Sequence, residues 1–185
     1  MKIIKIFLIF LFFIFSAFRL FADNKITDEA QQIFKAHQNS VYQIQVIDLA
    51  TGKKTAIGSG FQISPEGHIV TNYHVISEAV DRPNNFRLEY VRQDGFTDFL
   101  EINAIDVIHD LAIIKSPGTN WSYLELSDAE LLKGTRIFSM GNPFDLGMTI
   151  VEGTYNGLME KSLYRKILFS GSLNSGMSGG PALDR

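Results

Sequence analysis

The sequence contains no cysteine among its 185 residues, and this absence excludes several kinds of site at once. Disulfide bridges, thiolate zinc sites, iron–sulfur clusters and cysteine nucleophiles all require that side chain. With 45% hydrophobic and 20% charged residues and only five prolines, the composition also excludes a collagen-like or disordered chain. An excess of basic charge is lacking too, since 17 Lys and Arg face 20 Asp and Glu. We therefore expect no nucleic-acid partner.

Long hydrophobic runs are scarce, and the most pronounced one lies at the N-terminus. Lys2 and Lys5 precede an apolar run from Ile6 to Phe18, which is shorter than the roughly 20 residues that a membrane-spanning helix needs. Ala22 then supplies a small residue before a cleavage point, so residues 1–22 are predicted to be a secretory signal peptide. This prediction places the mature protein in the periplasm or outside the cell. The alternative is an uncleaved membrane anchor, the one case in which we expect a membrane partner.

The rest of the chain has the pattern of a β protein that follows one helix. A helix is predicted from Asp28 to His37, and after it apolar Tyr42, Ile44 and Val46 alternate with polar residues, as in a half-buried strand. Strands are predicted at residues 42–46, 55–64, 68–71, 86–93, 97–108, 111–115, 136–140, 149–154 and 166–169. Many short strands separated by turn residues predict an all-β sandwich or barrel. Residues 116–120, Ser-Pro-Gly-Thr-Asn, indicate an internal boundary.

Two candidate site residues flank apolar segments of the predicted sheet. His74 follows a buried strand and is placed on a short turn, where it would be rigid and would face a cleft, although a lone histidine is more often structural. Asp110 opens the apolar run Leu111–Lys115. One interpretation is that it accepts a hydrogen bond from the Nδ1–H of an imidazole and fixes its tautomer. A strand that simply ends at the surface is the alternative, and Asp106 is a second candidate for the carboxylate.

The third candidate segment is Asn-Ser-Gly-Met-Ser-Gly-Gly-Pro at residues 174–181. A serine hydroxyl attacks a carbonyl only when a base removes its proton, and the oxyanion that forms needs hydrogen-bond donors. The glycines around Ser178 permit a tight turn, in which the amides of Gly176 and Ser178 would point to one spot beside the hydroxyl. A flexible linker is the alternative, but an immediate Gly-Gly-Pro and flanking apolar strands argue against it.

Together, these segments resemble the trypsin-like serine proteases of the bacterial HtrA/Deg type. The similar blocks, in the family's order, are Gly58-Ser-Gly-Phe with residues 69–75, Asp110-Leu-Ala-Ile-Ile-Lys, Gly141-Asn-Pro-Phe, and residues 176–183. The resemblance runs from about residue 43 to the C-terminus, and four blocks in order are far more specific than any one of them.

The resemblance implies an all-β fold of two chymotrypsin-like β-barrels. Seven residues follow Ser178, where the family has further strands, so the second barrel is expected to be incomplete at the C-terminus. The implied organisation is a signal peptide at 1–22, an N-terminal helical segment at 23–39, a first barrel at 40–118 and a truncated second barrel at 119–185. The first barrel would carry the histidine and the aspartate, and the second barrel the serine.

The resemblance further implies a serine endopeptidase in which His74 is the general base, Asp110 orients it and Ser178 is the nucleophile. The amides of Gly176 and Ser178 would form the oxyanion hole, and Ser172 would lie near the base of the substrate pocket. The implied partners are extended or unfolded polypeptides, cleaved through an acyl-enzyme in envelope quality control, and a homo-oligomer is compatible with this picture. No cofactor and no metal are expected, because the four histidines show no ligand spacing. The alternative is a catalytically inactive binding or chaperone-like protein on the same scaffold.

Overall fold

The computed structural model describes residues 28–184, so the predicted signal peptide lies outside the described residues. Helix α1 covers residues 28–37, as predicted, and a short 3-10 helix, Gln38–Ser40, follows. The chain divides between Lys35 and Ala36 into two compact units, and every strand belongs to the second unit. In the part of the chain that the structure describes, no helix is long and apolar enough to cross a membrane.

Six antiparallel strands of the second unit close into a barrel. They are β1 (Val41–Asp48), β2 (Lys54–Gln62), β3 (His68–Thr71), β4 (Phe86–Val91), β5 (Thr97–Asp106) and β6 (Leu111–Lys115), and they pair in the order β1-β2-β3-β6-β5-β4. Closure leaves no unpaired strand edge. The interior is filled by apolar side chains such as Ile44, Ile69 and Ile114, all three fully buried.

Strand β1 is buried on both faces, which differs from the half-buried strand that the sequence predicted. Tyr42, Ile44 and Val46 point into the barrel core, as expected. Gln43 and Gln45, which alternate with them, are also buried, and the amide of Gln45 donates a hydrogen bond to the Oε1 atom of Gln43. Alternation of polar residues indicates a solvated face only when nothing else packs there, and here the other face of β1 contacts a second sheet.

Helix α2 (Tyr73–Asp81) stands where the sequence predicted a short turn around His74. Asn72 occupies the N-cap position in an extended conformation, and asparagine is among the residues favoured there. Val75, Ile76 and Ala79 are buried and share one face of the helix, which packs on the barrel core. The prediction of a turn was wrong because this helix is only nine residues long and directly follows a strand.

The second sheet has four strands and is open. Its strands are β7 (Arg136–Gly141), β8 (Thr149–Leu158), β9 (Ile167–Ser170) and β10 (Ala182–Leu183), paired in the order β10-β7-β8-β9. Residues 116–135 connect the two sheets. The prediction of an all-β fold with one closed barrel and an incomplete second one is therefore confirmed, although the short strand β10 was not predicted.

Candidate active site

His74 and Asp110 form a directly hydrogen-bonded pair on the surface of the closed barrel. The Nδ1 atom of His74 lies 2.7 Å from Oδ2 of Asp110, and the backbone N–H of His74 donates to Oδ1 over 2.9 Å. An ionised carboxylate only accepts hydrogen bonds, so Nδ1 carries the proton and Nε2 is the nitrogen left to accept one. The His74 side chain is 56% exposed, so the ring is accessible from solvent.

The backbone of Asp110 adopts a left-handed conformation that non-glycine residues seldom take. Its φ is 56°, and such strained positions persist only where surrounding contacts impose them, commonly at functional sites. Here the carbonyl of Asp110 accepts hydrogen bonds from the Nδ2 atom of Asn72 (2.7 Å) and the N–H of Tyr73 (3.2 Å). The start of α2 therefore fixes Asp110 through both its backbone and its side chain.

Asp106, the other candidate carboxylate, binds a different histidine. Its Oδ2 atom lies 2.6 Å from Nδ1 of His109, and its Oδ1 accepts the backbone N–H of His109 over 3.0 Å. These hydrogen bonds, the backbone one first, lower the pKa of the Asp106 carboxyl below its ordinary value. The ring of His109 also packs edge-on against Tyr164, with 4.6 Å between ring centroids. The structure thus assigns the two nearby aspartates to different histidines, Asp110 to His74 and Asp106 to His109.

The segment that carries Ser178 lies between β9 and β10, yet strand β2 of the closed barrel holds it. The N–H of Ser59 donates to the carbonyl of Ser178 over 2.7 Å, and the Ser59 hydroxyl donates to the carbonyl of Gly176 over 2.7 Å. The same hydroxyl accepts the N–H of Asn142 over 3.0 Å. Ser59 is fully buried. Sequence reasoning used Ser59 only as part of a family block and missed this positioning role.

Two glycines of the serine segment allow it to approach neighbouring backbone closely. Gly176 and Gly179 have φ values of 93° and 86°, which side-chain-bearing residues rarely adopt. A Cβ atom on Gly176 would lie 2.3 Å from the carbonyl oxygen of Asn142, and one on Gly179 would lie 2.2 Å from that of Ser59 and 3.0 Å from the amide nitrogen of Asn72. The turn at Ser178 therefore packs against the residue that precedes helix α2.

The structure brings the predicted site residues together only in part. His74 and Asp110 are hydrogen-bonded to each other, but within residues 28–184 no hydrogen bond joins the Ser178 hydroxyl to the imidazole. The N–H of Met177 is bonded to the carbonyl of Asn174 over 3.1 Å, whereas no described group accepts from the N–H of Gly176 or Ser178.

Two further predictions concern the substrate pocket and metal binding. Ser172 lies in the exposed segment just after β9, where its carbonyl accepts a hydrogen bond from Nδ2 of Asn174 over 3.4 Å. Across residues 28–184, histidine, aspartate and glutamate side chains form no group of three that could hold a metal ion.

Comparison with known sequences finds a family and named relatives. The family described as "Trypsin-like peptidase domain" matches residues 58–185. Protease Do-like 1, chloroplastic, from Arabidopsis thaliana is 31% identical over 160 residues, which are 80% of this chain and 34% of the relative. A probable periplasmic serine endoprotease, DegP-like, from Chlamydia pneumoniae is 31% identical over 138 residues, which are 71% of this chain and 27% of the relative. The chain thus spans about a third or less of these relatives.

Solved structures show the same architecture. The crystal structure of Deg5 superposes with a TM-score of 0.70 at 32% identity, covering 85% of this chain and 80% of that one. The crystal structure of the serine endoprotease from Yersinia pestis gives a TM-score of 0.72 at 24% identity, covering 84% of this chain and 53% of that one, and shows the fold alone. With the family match over most of its length, the chain belongs to the trypsin-like peptidases, and within them to the HtrA/Deg type.

Proposed function

We propose that the protein is a serine endopeptidase that hydrolyses peptide bonds of extended or unfolded polypeptides through an acyl-enzyme. The observation that supports this most strongly is the His74–Asp110 pair, which is oriented by two hydrogen bonds at the start of α2. The glycine-rich turn at Ser178 packs against that same helix start. A base with a fixed tautomer beside a candidate nucleophile is the arrangement that serine acyl transfer requires.

In the proposed reaction, Nε2 of His74 takes the proton of the Ser178 hydroxyl as Oγ bonds to the substrate carbonyl carbon. The imidazolium that forms is stabilised by the carboxylate of Asp110. It then gives its proton to the leaving amine as the C–N bond breaks, which leaves an ester on Oγ. Water, deprotonated by the same imidazole, attacks the ester and releases the carboxylic acid and the free hydroxyl. No cofactor takes part in these steps.

The amides of Gly176 and Ser178 are the proposed donors to the oxyanion. Support comes from the backbone around them, since Gly176 is held at its carbonyl by Ser59 while its own N–H donates to no described group. Donors that are fixed before the reaction stabilise developing charge without reorganisation. Ser172 is proposed to lie at the base of the substrate pocket, where a small uncharged side chain favours aliphatic residues over Lys or Arg.

The substrate, location and assembly of the protein are proposals of the same kind. An extended polypeptide is proposed to pair with an edge of the open sheet by main-chain hydrogen bonds. The predicted signal peptide supports export, and DegP-like relatives carry the word periplasmic in their names. We therefore propose that the protein is located in the periplasm and acts in envelope quality control. Residues 40–118 and 119–185 are proposed as its two barrel domains. Exposed apolar residues of the second sheet are compatible with self-association.

Replacing the proposed nucleophile tests this function directly. Ser178→Ala is expected to lower turnover of an unfolded protein substrate by about 10⁴-fold or more, because the remaining groups cannot form the acyl-enzyme. Ser127→Ala, at an exposed position in the segment of chain that connects the two sheets, serves as the matched control and should keep wild-type turnover. Cleavage by Ser178→Ala at the wild-type rate would contradict the proposal. Thermal unfolding of both variants checks that the fold is unchanged.

A non-enzymatic binding or chaperone-like role is the second candidate function. It is favoured by one observation, namely that no hydrogen bond joins the Ser178 hydroxyl to His74 in the described residues. A fluorophosphonate, which reacts only with an activated serine, separates the two functions. Labelling of the wild type but not of Ser178→Ala supports the peptidase, whereas binding of unfolded protein without labelling supports the second candidate.

A further inference from the structure

The loop that links β7 to β8 contains two successive non-glycine residues in a left-handed conformation. Phe144 and Asp145 have φ values of 54° and 61°. Asp tolerates this region better than most residues, but an aromatic residue there is unusual. Phe144 is 60% exposed, so burial of its ring does not explain the conformation. Hydrogen bonds hold the loop in place.

The side chain of Asp145 supplies two of those bonds, and both lead to the closed barrel. Oδ1 accepts from Nε2 of Gln43 on β1 over 2.6 Å, and Oδ2 lies 2.8 Å from Nζ of Lys54 on β2. Gln43 is itself buried and is held by Gln45, so it is a fixed partner rather than a mobile surface group. The bond from Lys54, followed by that from Gln43, lowers the pKa of the Asp145 carboxyl.

The other side of the same loop contacts the serine segment. The N–H of Phe144 donates to the carbonyl of Ser175 over 2.9 Å, and this carbonyl belongs to the peptide group whose N–H is that of Gly176. A Cβ atom on Gly176 would also lie 2.3 Å from the carbonyl oxygen of Asn142 and 3.1 Å from the amide nitrogen of Phe144, so the loop packs closely against this glycine. The orientation of the Gly176 N–H is therefore coupled to the position of this loop.

We infer that Asp145 is a positioning residue of the site, because it ties the loop at residues 142–147 to the closed barrel and so orients the peptide group that carries the Gly176 N–H. This inference rests on the proposed function, in which that N–H is an oxyanion donor. Asp145 touches no reacting atom. It acts through Phe144 and Ser175, on a group that binds the transition state more strongly than the substrate.

The test compares Asp145→Ala with Asp94→Ala, because Asp94 forms an ion pair with Arg92 of the same 2.8 Å length away from the loop. Asp145→Ala is expected to lower kcat about tenfold with KM within about twofold, since the lost contact orients a transition-state donor. Affinity for a peptidyl boronate, whose tetrahedral adduct places an oxygen in the hole, should fall by the same factor. Asp145→Asn keeps one acceptor and tolerates the positive φ, so it should recover part of the loss.

Equal kcat and boronate affinity in Asp145→Ala and Asp94→Ala would overturn the inference. A rise in KM for Asp145→Ala with an unchanged kcat would overturn it as well. If Asp145→Ala fails to fold, Lys54→Met removes one of the two bonds from outside the loop and should show a smaller change in the same direction.

A readout that needs no turnover distinguishes this inference from the proposed function. Amide hydrogen exchange at Phe144 should be about tenfold faster in Asp145→Ala than in Asp94→Ala, because its N–H loses the fixed carbonyl of Ser175. Unchanged exchange at Phe144 would overturn the inference even in an active enzyme. Faster exchange at Phe144 in Asp145→Ala, together with a wild-type protein that shows no peptidase activity, would support the inference and contradict the proposed function.

Discussion

The closed barrel and the open sheet hold their parts of the site in different ways. In the barrel, the histidine and the aspartate bind each other directly, on a framework whose core side chains are almost completely buried. In the four-stranded sheet, Leu158, Ile167 and Leu168 remain exposed, and the serine segment depends on hydrogen bonds that cross to strand β2. The comparison shows that the barrel positions all three proposed catalytic residues, including the one that the other sheet carries in sequence.

The side chains of Ser59 and Asp145 form hydrogen bonds between the closed barrel and the part of the chain that carries the open sheet and the serine segment. Ser59 reaches from the barrel to the carbonyls of Gly176 and Ser178, and Asp145 reaches back from the sheet to the barrel. Changes at the junction should therefore alter activity more than changes of similar chemistry elsewhere.

The sharpest comparison uses two glycines with the same unusual backbone conformation. Gly176→Ala would place a Cβ atom 2.3 Å from the carbonyl oxygen of Asn142, whereas Gly95, with a φ of 83°, has open space around it. Because the clash would displace the proposed oxyanion donor, kcat of Gly176→Ala should fall by about 10²–10³-fold. Gly95→Ala should only lose about 1 kcal/mol of unfolding free energy. Equal activity of the two variants would show that the backbone at residue 176 does not take part in the reaction.

Removal of the Ser59 hydroxyl should have the next largest effect. Ser59→Ala leaves the carbonyl of Gly176 and the N–H of Asn142 without a partner in a buried region. Each such loss costs about 1–3 kcal/mol, so urea denaturation should show destabilisation of this order and kcat should fall as well. Ser127→Ala is again the exposed control. If both variants unfold at the same urea concentration and cleave equally well, the hydroxyl does not connect the two sheets.

Much of the fold could be predicted from sequence because its signals are local. Alternating apolar residues indicated β1, the continuous apolar run Leu111–Lys115 indicated β6, and turn residues separated such segments. Helix α2 was missed although its signals are present, with Asn72 at the N-cap position and buried residues at 75, 76 and 79. Because the helix begins only two residues after the apolar strand β3, the change from a period of two to a period of 3.6 is difficult to detect in the sequence.

The site shows the same division between local and distant signals. The block around Ser178 and the pairing of a histidine with Asp110 could be predicted from residue type and family order. The roles of Ser59 and Asp145 could not, because they depend on contacts between residues 117 and 102 positions apart. Burial of Gln43 has the same origin, since no local pattern indicates that a second sheet covers β1.

A smaller effect on unfolding free energy is expected to distinguish a buried isoleucine of the closed barrel from an exposed one of the open sheet. Ile114 is fully buried in the barrel, and Ile167 in the open sheet is 49% exposed. Ile114→Val should cost about 0.5–1.5 kcal/mol of unfolding free energy, because it removes a methyl group from a packed core. The same change at Ile167 should stay within about 0.5 kcal/mol. Denaturant unfolding of the two variants measures the difference, and an equal or larger loss at Ile167 would mean that the open sheet is covered in solution.

The smallest expected effect concerns the pH dependence of the junction. Hydrogen bonds from Lys54 and Gln43 lower the pKa of the Asp145 carboxyl in the folded protein below its ordinary value of 3.8. The folded state therefore binds this proton less readily than the unfolded state, and the stabilisation is present above the ordinary pKa and is lost as the pH falls through the lowered one. Asp145→Asn should thus cost less than about 1 kcal/mol near pH 7, as for an exposed ion pair, and the difference from wild type should shrink below pH 4. Urea denaturation at pH 7, 5 and 3 measures this difference, and a difference that grows as the pH falls would show that the carboxylate is not held by Lys54 and Gln43.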